Sequence, residues 1–202
     1  MNWETLMCFG DSITIGARSY CGYPEYCGDF LEKEIGNKWN VVNHAVSGYT
    51  AIDLHRYISG NFQNLASFNP SIVTVLIGTN DIKCGTSSDD FEIAYNQILI
   101  KAKLIAMRKN VLIIKIPQLP SKVMYPYYYS MNDKITEFNE MLELLAENNG
   151  VRITQFNISE EDLFDGVHLN ETGSRNTARQ LADLILADRG VFQGSDTPAV
   201  KI

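Results

Sequence analysis

Five short runs of apolar and β-branched residues alternate with helical patterns along the chain, and this alternation limits the fold more than any other feature. The runs are Leu6 to Phe9, Trp39 to Asn43, Ser71 to Ile77, Val111 to Ile116 and Val151 to Phe156. Ser71 to Ile77 is apolar almost throughout, as a strand covered on both faces is. Between the runs, apolar spacing predicts helices over Tyr26 to Ile35, about Ala51 to Tyr57, Ser87 to Asn110, Asn132 to Asn149 and Glu171 to Asp188. Strands that alternate with helices pair in parallel through right-handed crossovers. The expected architecture is therefore α/β, a three-layer α/β/α sandwich around a five-stranded parallel sheet, with flavodoxin-like strand order. A chain of 202 residues suits one buried core and is short for two. Residues 1–189 are expected to form that domain, and the small polar residues 190–202 a loosely held tail.

Charge and composition remove several function classes. A net charge of −7 and a pI near 4.9, with no basic stripe, argue against a nucleic-acid partner. No apolar stretch approaches the ~20 residues that span a bilayer, and Met1 to Glu4 lacks the pattern of a secretory leader, so a cytoplasmic location is expected. The cysteines Cys8, Cys21, Cys27 and Cys84 form neither a Cys-x-x-Cys pair nor a Cys/His cluster, so no metal is expected. Cys21 and Cys27 are near enough in sequence for one disulfide, the alternative being four free thiols. There is no Gly-x-x-x-x-Gly-Lys phosphate loop, no Gly-x-Gly-x-x-Gly after a strand and no Gly-x-Ser-x-Gly elbow; no cofactor is expected.

Chemistry gathers at four strand ends, which a parallel sheet brings to one edge. Gly10-Asp11-Ser12 follows the first strand and Asn43 to Gly48 the second. Gly78-Thr79-Asn80-Asp81 follows the third, and Asp165-Gly166-Val167-His168 lies past the fifth. Taken singly, each has an ordinary reading as a turn or a helix cap. One mechanism accounts for all four. A serine hydroxyl needs a neighbouring base, and histidine suits that role near neutrality. His168 is the candidate base for Ser12. Asp165, three residues earlier, reaches the second ring nitrogen if the segment turns, which fixes the tautomer. His44 and His55 carry no carboxylate at that spacing. Asp11 and Asp81 are read as loop-stabilising acceptors rather than metal ligands.

Together the four segments resemble the signature blocks of the SGNH/GDSL hydrolases, over most of the chain, with Ile13 where the family name has leucine. The resemblance implies a carboxylic ester hydrolase that works through an acyl-enzyme. It implies Ser12, Asp165 and His168 as the catalytic residues, and an oxyanion hole made by the Ser12 and Gly48 backbone N–H groups and the Asn80 side chain. Each such donor is worth ~3 to 4 kcal/mol in comparable sites. Close approach of backbone without a Cβ is the expected reason for glycine at position 48.

The substrate is less constrained. Short acyl esters, acetyl esters of carbohydrates among them, are the expected small-molecule partners. A lysophospholipase, a thioesterase and an acyltransferase share the same residues, and a non-catalytic ligand-binding domain shares the same fold. Asp11, Tyr125 and Tyr127 are candidate substrate contacts. The tyrosines belong to a run, Tyr125 to Tyr129, that follows the fourth strand and either overhangs the crevice or packs against protein.

Overall fold

A computed structural model describes residues 3–107 and 110–190 of the chain. Five parallel strands, β1 (Trp3–Gly10), β2 (Lys38–Asn43), β3 (Ile72–Leu76), β4 (Asn110–Ile114) and β5 (Arg152–Thr154), form one sheet in the order β2-β1-β3-β4-β5. That is the flavodoxin-like order, with β1 and β3 at the centre. Their buried faces explain the composition: Leu6 to Phe9 and Val73 to Leu76 are almost fully enclosed, so both sides of each strand are apolar.

Among the described residues, eight α-helices follow in chain order: α1 (Ser12–Ile15), α2 (Tyr23–Ile35), α3 (Ala51–Gly60), α4 (Phe62–Ser67), α5 (Thr79–Cys84), α6 (Ser88–Ile105), α7 (Asn132–Asn149) and α8 (Glu171–Asp188). On one face of the sheet α2 packs against α8; on the other α6 packs against α3, α4 and α7. The α6–α7 contact is centred on Phe91 and Phe138, whose rings stack with centroids 3.9 Å apart. Side chains define several helix starts. Ser87 accepts from the Asp90 N–H at the head of α6, Thr50 and Asp53 form a capping box on α3, and Asn170 caps α8 through the Gly173 N–H.

Several boundaries differ from the sequence expectation. α2 begins at Tyr23, because Pro24 is tolerated in a first helical turn. α6 ends at Ile105, and Met107 enters the left-handed region at φ 50. Val151 to Phe156 shortens to a three-residue strand. α1, α4 and α5 are helices of four to six residues that apolar spacing does not predict. Cys21 and Cys27 are free, as are Cys8 and Cys84, so no disulfide joins them. Beyond Gly190, the tail lies outside the described residues. Among those described, no helix is long and apolar enough to cross a membrane.

Candidate active site

Asp11 and Ser12 form the turn between β1 and α1. Asp11 is the N-cap of α1, its Oδ1 accepting from the Ile13 N–H at 3.0 Å, and Ser12 takes the first helical position. The Ser12 N–H therefore has no intrahelical acceptor. Its side chain lies at the surface end of the strand, 7% exposed.

A small loop before α8 carries Asp165 and His168. Its base is closed by the Leu163–Leu169 bridge and by the Phe164 N–H, which donates to the His168 carbonyl at 2.8 Å. Asp165 Oδ1 accepts from the Val167 and His168 N–H groups at 3.0 and 2.8 Å, which folds the carboxylate back under the imidazole. Asp165 Oδ2 is 2.7 Å from His168 Nδ1, and His168 Nε2 is 2.9 Å from Ser12 Oγ. With a carboxylate at Nδ1, the ring proton sits there, leaving Nε2 free to accept from the serine. Burial alone would raise the Asp165 pKa. The His168 N–H, the His168 ring and the Val167 N–H outweigh it and hold this carboxyl below the usual aspartate range.

The other two strand ends are tied to the end of β1 and to each other. The Val46 N–H donates to the Gly10 carbonyl at 3.1 Å, tying the loop after β2 to the end of β1. Asp81 Oδ2 accepts from the Ala51 N–H at 2.9 Å and ties that same loop to α5. Asn80 is buried between them. Its Oδ1 faces two donors, Lys83 Nζ at 3.0 Å and Tyr127 Oη at 3.3 Å. Its Nδ2 faces acceptors, the Tyr49 carbonyl at 3.0 Å and Asp11 Oδ2 at 3.4 Å. Donors on one side and acceptors on the other fix the amide orientation.

Two glycines are required by backbone conformation. Gly78 has φ 134, and a Cβ there would lie 2.4 Å from Ile116 Cδ1. Gly48 has φ 85, yet no protein atom stands within 4 Å of the position a Cβ would take. No part of the chain crowds position 48, and its left-handed backbone by itself favours glycine there.

The structure thus brings Ser12, Asp165 and His168 together and sets Asn80 beside Asp11. The three proposed substrate contacts separate. Tyr125 is 83% exposed, with its ring edge-on to Tyr128, and it follows Met124, whose N–H donates to the Asp165 carbonyl. Tyr127 is buried, its hydroxyl donating to Asn80 Oδ1. Asp11 is buried as well, its Oδ1 accepting from the Ile13 N–H and its Oδ2 from Asn80 Nδ2. Burial pushes the Asp11 carboxyl up to about 7, opposed by the Ile13 N–H and reinforced by the charge of Asp81. His44 is engaged elsewhere, its Nδ1 2.9 Å from Tyr57 Oη and its ring stacked on Phe9.

Three neighbours escaped the sequence reading. Arg18 Nε lies 3.9 Å from Asp165 Oδ2, and its guanidinium sits 5.7 Å from the centre of the exposed Phe164 ring. Lys83 reaches Asn80 from the next turn of α5, a contact the i, i+3 spacing would have revealed had α5 been recognised. Among the described residues, no group of three or more His, Cys, Asp or Glu side chains is placed to hold a metal ion. A cavity of about 300 Å³ between β5 and α8, lined by Phe156, Gln180 and Leu184, is reached by none of Ser12, Asn80, Asp165 and His168.

Residues 8–175 match the GDSL-like Lipase/Acylhydrolase family. A multidomain esterase of Ruminococcus flavefaciens is 23% identical over 231 residues; the match takes in 96% of this chain and 29% of that protein's length. Among solved structures, an acetyl xylan esterase, AlAXEase, superposes with a TM-score of 0.72 at 20% identity, covering 90% of this chain and 99% of the other. An acetyl xylan esterase from Geobacillus stearothermophilus does so with a TM-score of 0.69 at 19% identity, covering 96% and 97%. At these identities the two structures establish a shared fold.

Proposed function

The chain belongs to the GDSL-like lipase/acylhydrolase family of carboxylic ester hydrolases, and from that premise we propose that it cleaves acetyl esters, those of carbohydrates in particular, by metal-independent serine chemistry. What carries this reading is the continuous relay from Ser12 Oγ through His168 to Asp165, at 2.9 and 2.7 Å.

In the proposed reaction Ser12 Oγ attacks the ester carbonyl carbon while His168 Nε2 takes its proton. Asp165 stabilises the imidazolium that results. The carbonyl π-electrons move to oxygen, and that charge is received by the Ser12 and Gly48 N–H groups and by Asn80 Nδ2. Collapse of the tetrahedral species breaks the bond to the alcohol, which leaves with the proton from His168. A water, deprotonated by the same nitrogen, then releases the acid from Ser12. Base and oxyanion donors all come from the protein, so the scheme needs no metal.

The substrate class is supported by the setting of the relay. Tyr125, Tyr128 and Phe164 present exposed rings on the segments that carry or flank Asp165. Flat aromatic faces with a nearby hydroxyl suit a sugar ring, and two proteins of the same fold are acetyl xylan esterases. A chain-length series of p-nitrophenyl esters, run beside an acetylated xylo-oligosaccharide and with EDTA present or absent, tests the proposal. Highest kcat/KM on the acetate, acetate release from the sugar and indifference to EDTA are expected. Preference for acyl chains of about eight carbons or more, or for a thioester, would reject the substrate class; loss of activity in EDTA would reject the metal-independent scheme.

A further inference from the structure

Both lone pairs of the buried Asn80 oxygen are engaged, and one of the two donors is a cation. Lys83 Nζ lies 3.0 Å from Asn80 Oδ1 and 5.8 Å from the centre of the Tyr127 ring, while the Tyr127 hydroxyl donates to the same oxygen at 3.3 Å. Lys83 is itself exposed, so the contact owes little to packing. The lysine stem crosses from solvent to reach a buried oxygen.

We infer that Lys83 is a positioning residue for the reaction, fixing the orientation of the Asn80 amide and strengthening its N–H₂ as a donor; the N–H that meets Asp11 Oδ2 only at 3.4 Å is the one that would turn to the developing oxyanion, while the other stays on the Tyr49 carbonyl. The inference rests on the reading of Asn80 as an oxyanion donor. Its physical basis is amide resonance: a cation at the amide oxygen draws electron density from nitrogen, and the N–H bonds become more acidic. Hydrogen bonds with one ionised partner are also roughly twice as strong as neutral ones. The Lys83 contact therefore resists rotation of the amide better than the tyrosine alone. Asp11 Oδ2 lies 3.4 Å from Asn80 Nδ2, and Lys83 is the cation that opposes its charge.

The test measures kcat and KM on p-nitrophenyl acetate, and the rate of inactivation by diethyl p-nitrophenyl phosphate, whose attack by serine uses the same donors. The proteins are wild type, Lys83→Met, Lys83→Arg, Asn80→Ala and the double variant Asn80→Ala/Lys83→Met. Removing a whole oxyanion donor costs about 10²- to 10³-fold, so loss of its polarising partner should lower kcat and the inactivation rate about tenfold, with KM within about twofold. Lys83→Arg should keep most of the rate. In the Asn80→Ala background, Lys83→Met should change nothing further. Wild-type kinetics in Lys83→Met, or the same loss in both backgrounds, would overturn the inference. Wild-type turnover in Asn80→Ala would instead overturn the oxyanion reading beneath it.

Discussion

Ser12 Oγ lies 2.9 Å from His168 Nε2 although 156 residues separate them in the chain. The sheet makes this meeting possible: Ser12 leaves the end of the central strand β1, and the His168 loop returns after β5 at the same edge. Both residues are held by local hydrogen bonds that do not involve each other, so the contact is built in before substrate arrives. Ser12→Ala is therefore expected to fold normally and to lose about 10⁴-fold or more in kcat on p-nitrophenyl acetate. Titration with a fluorophosphonate probe should label the wild type at one site and leave the variant unlabelled. Comparable turnover in the two proteins removes Ser12 as nucleophile and favours a binding domain.

Asp165 has two duties that a single substitution separates. Its Oδ1 shapes the loop through two backbone N–H groups, and its Oδ2 sets the imidazole proton on Nδ1. In Asp165→Asn the carbonyl oxygen preserves the loop, but the amide N–H₂ then faces Nδ1 and drives the ring proton to Nε2. That nitrogen no longer accepts from serine. A fall in kcat of about 10⁴-fold with a near-native circular dichroism spectrum is expected, as for other Ser-His-Asp relays. A loss below about tenfold would show that Asp165 does not set the tautomer.

Asp11 makes stability depend on pH in the direction opposite to most carboxylates. Burial raises its folded pKa from 3.8 to about 7, so between those values the native state holds a proton that the unfolded chain has released. Stability is therefore full below about 3.8 and declines as pH rises through about 7. Each pH unit of that gap is worth about 1.4 kcal/mol, which sets a ceiling of about 4 kcal/mol. Asn at position 11 still caps α1 and does not ionise. Urea unfolding at pH 5 and pH 8 should show Asp11→Asn gaining on the wild type at the higher pH. An unchanged difference between the two proteins would mean that Asp11 stays ionised in the fold.

How much of this was legible in the sequence depended on segment length. Strands such as Ser71 to Ile77 announce themselves because both faces are buried, and the alternation with long helices implies the parallel three-layer sandwich, although the order of the strands cannot be read from the pattern. α1, α4 and α5 complete less than two turns each, too short for a 3.6-residue period to register. No helix is expected after Gly78, so nothing in the sequence links Lys83 to Asn80. The proximity of Ser12, Asp165 and His168 was legible because residue type, spacing and strand end coincide there. Tyr125 and Tyr127 were not separable, since an irregular segment has no period to say which ring turns inward. Tyr127 took the inward place because its hydroxyl finds Asn80 Oδ1, whereas Tyr125 has no such partner among the described residues.

That outward ring gives the substrate reading its sharpest test. Tyr125 is 83% exposed, packs edge-on against Tyr128, and is joined through Met124 to the loop that holds Asp165. A sugar ring whose acetyl group reaches Ser12 would extend over such a surface, while the leaving group of p-nitrophenyl acetate is smaller and depends on it less. Tyr125→Ala is therefore expected to raise KM for an acetylated xylo-oligosaccharide about fivefold, equivalent to ~1 kcal/mol, and to leave kcat nearly unchanged. Kinetics on p-nitrophenyl acetate should stay within experimental scatter of the wild type. The contrast matters more than either number: binding lost uniformly in ground and transition states raises KM alone, whereas damage to the relay lowers kcat on both substrates. If the oligosaccharide KM does not move, the aromatic surface has no part in holding substrate, and the carbohydrate assignment loses its structural support while the serine chemistry stands.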